Sequence, residues 1–227
     1  MRQDIKVSVD AVVFGYDQED GISVLLIKRK NEPFQKMWAL PGGLVLNSET
    51  LDAAVTRELK EEAGIDVNYL EQLYSFGTPD RDPRNYVVSV SYFGLVRPQD
   101  FQLTAKTDAE DVEWYNIKKL PKLAFDHRKI IDAAIKRLRG KITYEPVGFE
   151  LLEKEFPFSD LEKLYQTLLD QEIDRRNFKK KIISLGILEE LETTTQGKSG
   201  RPARLFKFNK KKYFELKAQG YNFDMFF

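Results

Sequence analysis

The sequence predicts an α/β sandwich around a mixed sheet, followed by a small C-terminal domain of helix, turn, helix and β-hairpin. Three observations predict it. Runs rich in β-branched residues alternate with amphipathic helical stretches over the first 142 residues. Residues 51–63 combine an apolar stripe on one helix face with three glutamates on another. Beyond residue 157 the element order changes and basic residues gather. Domains are therefore expected at 1–142 and 158–227. Residues 143–157, with two prolines and no clear period, read as the linker.

Residues 7–16 and 23–28 are apolar or alternating, and the polar turn 17–21 joins them as a hairpin. Trp38, Ala39 and Leu40 lead into a tight loop, Pro41-Gly42-Gly43, ahead of the helix over 51–63. In that helix Leu51, Ala54, Val55, Leu59 and Ala63 form the apolar stripe, and Gly64 stands at the C-terminal cap. Residues 69–76 and 86–96 read as two further strands and 112–117 as a short one. Asp126 is placed to cap a helix running to about residue 139. Ser159-Asp160-Leu161-Glu162 has the form of a capping box, opening a helix to about residue 169. Asp174 caps a second helix over 175–185, which ends at Gly186. Strands at 187–191 and 204–208 flank a loop at 193–203. Helix, turn, helix and a hairpin with a Gly- and Arg-bearing tip is the pattern of a winged helix-turn-helix.

At 227 residues with 42% hydrophobic and 32% charged content, the chain has the composition of a soluble globular protein. No apolar run approaches the ~18–20 residues of a membrane span and the N-terminus lacks a signal-peptide core, so a cytoplasmic location without a membrane partner is expected. There is no cysteine and a single histidine, His127, which argues against thiolate and zinc sites. Net charge is zero but uneven. Residues 174–212 hold twelve Lys or Arg against four Asp or Glu. A basic patch focused on a neutral protein points to a polyanion, here double-stranded DNA. Arg175, Arg176, Lys179, Lys180 and Lys181 would meet phosphates and base edges from one short helix, while Phe178, Ile182 and Leu185 anchor it. Lys198 and Arg201, in the wing-like tip Gly197-Lys198-Ser199-Gly200-Arg201-Pro202, would also bind DNA, the arginine lying in an adjacent minor groove.

Between Gly43 and Ile65 the chain reads Gly-x5-Glu-x7-Arg-Glu-Leu-x-Glu-Glu-x-Gly-Ile. Glu58, Glu61 and Glu62 stand at i, i+3 and i+4, so three like charges share one helix face. Arg57, four residues before Glu61, can offset one of them but not all three. Something more positive must be held there. An all-oxygen site without clustered His suits Mg2+ or Mn2+, which would offset the charge of a phosphate substrate and acidify an attacking water.

This pattern matches the Nudix box in full, and the segment resembles Nudix hydrolases, which cleave a nucleoside diphosphate linked to a further group. The resemblance implies that Glu58, Glu61 and Glu62 ligate the metal with the Gly43 carbonyl, and that Arg57 pairs with Glu49. The general base would be a box glutamate or a distant one, with Glu110, Asp111 and Glu113 as candidates. Arg81 and Arg84, on the loop Asp80-Arg81-Asp82-Pro83-Arg84, either reach a substrate phosphate or ribose or form local ion pairs. Phe34, Trp38 and Tyr86 either stack on a base or belong to the core. His127 is expected to help begin its helix.

Together, the box, the Leu123-Ala124-Phe125-Asp126-His127 run and the Gly200-Arg201-Pro202-Ala203 tip make nearly the whole chain resemble the Nudix-related transcriptional regulators of bacterial NAD metabolism. That resemblance implies ADP-ribose as effector, weaker operator binding when it is bound, and a homodimer reading paired half-sites. Many members have a degraded box and hydrolyse nothing, whereas this chain keeps every box residue. A related branch senses sugars such as arabinose, and a plain hydrolase with a C-terminal dimerisation domain is the other reading.

Overall fold

Strand β1 (Lys6–Asp17) organises the first unit of the computed structural model, because nine of its twelve residues are buried. Such burial on both faces marks a central strand. The structure describes residues 4–105, 108–195, 202–221 and 223, and the chain divides into units Met1–Arg137 and Leu138–Phe227. After β1 come β2 (Gly21–Arg29), β3 (Trp38–Ala39), β4 (Gly42–Leu44), α1 (Leu51–Glu62), β5 (Leu70–Phe76), β6 (Val87–Val96), β7 (Ala109–Asn116) and α2 (His127–Lys141). The sheet is mixed, as expected: β1 runs parallel to β6 and antiparallel to β2 and β4. Strand β2 in turn pairs antiparallel with β3 and β7.

Val9, Ala11 and Val13 of β1 join Ala54, Val55, Leu59 and Ala63 in one buried cluster. The predicted stripe is thus the face of α1 that packs on the sheet. Thr50 caps α1 by accepting the Ala53 N–H at 3.2 Å, and Gly64 follows its end at φ +71°, a conformation glycine adopts without strain. On β1 the alternate residues Ser8 and Asp10 stand level with Ser89 and Ser91 of β6, and Asp10 also with Gly42 of β4. Alternation puts this polar set on the opposite face from the cluster.

Some readings of the sequence need correction. Gly42 and Gly43, read as part of a tight loop, open strand β4, and the Trp38–Ala39 stretch leading into that loop forms β3; both are too short to show a period, and their partners β1 and β2 define them. Asp126 stands just before α2 as expected, its main-chain carbonyl accepting the Ile130 N–H, while both carboxylate oxygens accept from Arg81. In the second unit, the stretch read as linker contributes to the core. Val147, Phe149, Leu151 and Leu152 are buried, and β8 (Glu155–Pro157) pairs with β10 (Arg204–Phe208).

Helix α3 (Phe158–Leu169) begins after Pro157 without a side-chain cap, so the Ser159 capping box does not form. Proline just ahead of the first turn supplies the stop instead, and the Ser159 hydroxyl meets Asp160. Helix α4 (Arg175–Ser184) does start at Asp174, whose carboxylate accepts the Asn177 N–H at 2.8 Å. Strand β9 (Leu188–Thr194) completes an antiparallel sheet in the order β8-β10-β9, and a further helix, α5 (Lys210–Ala218), follows. Phe178 of α4 packs against Phe158 and Tyr165 of α3, with ring centroids 5.8 and 5.0 Å away. Those contacts hold the basic helix in place. Among the described residues, no helix is long and apolar enough to cross a membrane.

Candidate active site and nucleic-acid face

Glu58, Glu61 and Glu62 lie on the last turn and a half of α1, beside the turn that carries Gly42 and Gly43. Glu62 is buried and accepts the Gly42 N–H at 2.8 Å. Its burial, with the charges of Glu58 and Asp108 nearby, pushes its carboxyl up to about 8. Glu58 is raised as well, because desolvation outweighs its Arg57 partner. A Cβ at Gly43 would overlap the Glu58 carboxylate, so a larger residue there would push that carboxylate aside.

Arg57 serves two groups at once. Its Nη2 and Nε grip Glu49 at 2.7 and 3.0 Å, and Glu49 also accepts the Leu46 N–H at 2.8 Å. Those donors hold the Glu49 carboxyl down at about 2 and tie the loop to the helix. The Nη1 atom is shared by Glu58 at 2.8 Å and Glu61 at 3.1 Å. One arginine thus reaches two of the three box carboxylates, more than the sequence expectation allowed. Among the described residues, no three acidic or imidazole side chains already form a metal cage. Arg57 Nη1 stands where Glu58 and Glu61 would converge. The donor set still fits a hard divalent cation: it is all oxygen, and two of its carboxylates are desolvated and held above their ordinary range.

The structure separates the two loop arginines. Arg81 is buried, with Asp10 at 3.1 Å and Asp126 at 2.8 Å on its Nη2. A guanidinium held by two carboxylates inside the protein is not presented to a substrate, so the reading of Arg81 as a phosphate ligand gives way to that of a structural clamp. Arg84 is half exposed and paired with Asp82 at 2.8 Å. Of the distant acids, Glu110 lines a cavity of about 410 Å³ with Lys30, Gln35, Lys36 and Ala109. Asp111 accepts the Val112 N–H, and burial together with Glu113 raises the Tyr115 hydroxyl pKa. Phe34 and Trp38 pack edge-on against Phe125 and Tyr115, at 4.8 Å each, while Tyr86 is exposed.

Arg29 is the residue that sequence reasoning missed. It lies 4.9 Å over the Phe125 ring and donates to the Pro33 carbonyl at 2.8 Å. Burial lowers its pKa, Arg84 lowers it further, and Glu62, Asp82 and Asp108 oppose the shift. Arg29 therefore feels both Arg84 and Glu62. Nearby Phe34 and Lys36 both hold φ of +64°, backbone strain of the kind that gathers at functional sites. Nothing in the spacing around the box points back to position 29.

In the second unit Arg176 and Lys180 are exposed on α4, and among the described residues neither has an ion pair. Arg175 sits 3.3 Å from Glu162, and Lys179 lies over Phe158 and Phe206 at 5.4 and 5.8 Å. Lys198 and Arg201 fall outside the described residues.

A family model for the NUDIX domain matches residues 4–134, and one for the NrtR DNA-binding winged helix domain matches residues 148–208. The chain is 35% identical over 207 residues to an ADPR responsive transcriptional repressor of Acinetobacter baylyi, covering 89% of this chain and 81% of that protein. It is 43% identical over 125 residues to an ADP-ribose pyrophosphatase of Methanocaldococcus jannaschii, covering 55% of this chain and 70% of that protein. Shewanella oneidensis NrtR, crystallised with a 27mer DNA, superposes with a TM-score of 0.80 at 31% identity, over 95% of this chain and 96% of that one. With the two domain models in the same order and a repressor matched along most of its length, the chain belongs to the NrtR family, in which a Nudix domain precedes a DNA-binding winged helix.

Proposed function

We propose that this chain is a cytoplasmic, homodimeric, ADP-ribose-responsive transcriptional regulator that also hydrolyses its effector. One observation carries the reading: a complete carboxylate box, packed against Gly43, on the same chain as a basic winged helix. The relatives support ADP-ribose as ligand, since one is named for responding to it and another for cleaving it.

In the hydrolytic half, Glu58, Glu61, Glu62 and the Gly43 carbonyl hold Mg2+ or Mn2+. Bound there, the ion supplies neutralisation of the diphosphate and acidification of the attacking water. Arg57 keeps the Glu49 loop on the helix while yielding the other two carboxylates. Arg84, with Arg29 behind it, faces the substrate's negative charge. Glu110, on a cavity wall, is the preferred distant base. Water adds to one phosphorus, the bond from that phosphorus to the bridging oxygen breaks, and the products are AMP and ribose 5-phosphate. Incubating the full chain with ADP-ribose and Mg2+ and separating products by chromatography tests this; intact ADP-ribose after long incubation removes the hydrolytic half.

For DNA, α4 enters the major groove with Arg175, Arg176, Lys179 and Lys180, and Lys198 and Arg201 act from the hairpin tip. Arg176 and Lys180, exposed without an ion pair, carry most of the phosphate contact. Replacing both with alanine is expected to weaken binding to the chain's own upstream DNA by about tenfold per contact near 0.1 M salt and to flatten the log–log salt slope by about two units. Fluorescence anisotropy at several salt concentrations reads both; an unchanged slope would place the DNA surface elsewhere.

A further inference from the structure

Around Asp10, buried polar contacts tie together segments that the hydrolytic scheme above does not use. Asp10 Oδ2 accepts from Arg81 Nη2 at 3.1 Å and from the Ser89 hydroxyl. Arg81 also donates to both oxygens of Asp126, at 3.3 and 2.8 Å. Asp126 precedes His127, whose Nε2 stands 3.5 Å from Asp10 Oδ1. On the other side of the ring, Nδ1 accepts the Leu40 N–H at 2.8 Å. None of Asp10, Arg81 and His127 is more than 8% exposed.

The chemistry fixes the ring. A backbone N–H can donate only to an unprotonated nitrogen, so the proton of His127 sits on Nε2, toward Asp10. Burial lowers the His127 pKa, with Asp10 opposing, which keeps Nδ1 an acceptor. Leu40 opens the run Leu40-Pro41-Gly42-Gly43. Pro41 has no N–H, so the Leu40 N–H is the last backbone donor before that of Gly42, which goes to Glu62. The Pro41 carbonyl is held by the Ala11 N–H at 2.9 Å. The next residue, Gly43, abuts Glu58. His127 therefore anchors the near end of the turn whose far end forms the carboxylate site.

We propose that His127 is a positioning residue for the cation site: through the Leu40 N–H it sets the backbone that brings Gly42 onto Glu62 and Gly43 against Glu58. The Arg81 clamp on Asp10 and Asp126 holds the ring in place. This rests on the hydrolytic reading above. A ring anchored from behind by carboxylates and pressed on the metal-site backbone is an outer-shell device, and losing such a contact typically lowers metal affinity about 10- to 100-fold.

The test compares His127→Asn, His127→Gln and His127→Leu in the full chain. Asparagine places an amide oxygen near the position of Nδ1 and can accept the Leu40 N–H; glutamine extends past it and leucine cannot accept. Titration calorimetry with Mn2+ alone, and ADP-ribose turnover against Mg2+ concentration, are the readouts, with thermal unfolding alongside. The expected result is weaker Mn2+ binding for the Gln and Leu variants, by about tenfold or more, near-normal binding for the Asn variant, and recovery of kcat at saturating Mg2+. If Leu does not fold, the Asn–Gln contrast decides. Equal Mn2+ affinity in all folded variants, an equal loss in Asn and Gln, or failure of all three to fold would overturn the proposal. A wild-type chain that takes up no Mn2+ overturns the hydrolytic reading and this proposal together, whereas a wild-type chain that binds Mn2+ with unaffected variants overturns only this one.

Discussion

Glu62→Gln is expected to lower kcat/KM for ADP-ribose by about 10³-fold and leave the fold intact. The two halves have separate causes. A glutamine oxygen still accepts the Gly42 N–H that Glu62 accepts at 2.8 Å, so the contact between the helix and the turn survives. What disappears is one negative ligand of the cation, and the charge stabilisation it supports is of the order of several kcal/mol, roughly three powers of ten in rate. Because the buried carboxyl is already held up at about 8 without a cation, neutralising it removes a group that prefers to be uncharged inside the protein. Unfolding should therefore be unchanged or slightly delayed in metal-free buffer. Turnover within tenfold of wild type at saturating Mg2+ would mean that Glu62 serves only the architecture.

Arg81→Ala is expected to destabilise the first unit by about 3 kcal/mol, the low end for breaking a buried ion pair by removing one partner. Asp10 would be left buried with only the Ser89 hydroxyl and His127 beside it, and Asp126 would lose its bidentate partner. Denaturant unfolding measures the loss. Adding Asp10→Asn to Arg81→Ala should restore part of it, since the orphaned charge is removed and the two sites are in contact. The ordinary alternative, a solvent-facing arginine that meets the substrate, predicts an unchanged midpoint and a raised KM.

How much of this was legible in the sequence follows from where each interaction is encoded. The box helix was legible because its signals are local: the apolar stripe that packs under the sheet and the glutamates at i, i+3 and i+4 lie within fifteen residues. Asp174 was legible for the same reason, since a cap is read from its own helix. Asp126 was legible as the start of α2, but not as a partner of Arg81, 45 residues away. Arg81 itself looked exposed, sitting among Asp, Pro and Asn in an apparent turn; only the fold brings β1 and the start of α2 to it. The same holds for His127 and Leu40, 87 residues apart. The stretch around Val147–Leu151 read as linker because its buried residues follow no period, being set by a 3-10 turn and a three-residue strand whose partner lies near residue 206.

The most direct test of the central reading follows one sample through time. Full-length protein bound to labelled upstream DNA receives ADP-ribose and Mg2+, and anisotropy and AMP are recorded together. DNA should be released on addition and rebound as AMP accumulates and the effector is consumed, while Glu62→Gln should release without rebinding. Anisotropy that never changes, with ADP-ribose left intact, would contradict it.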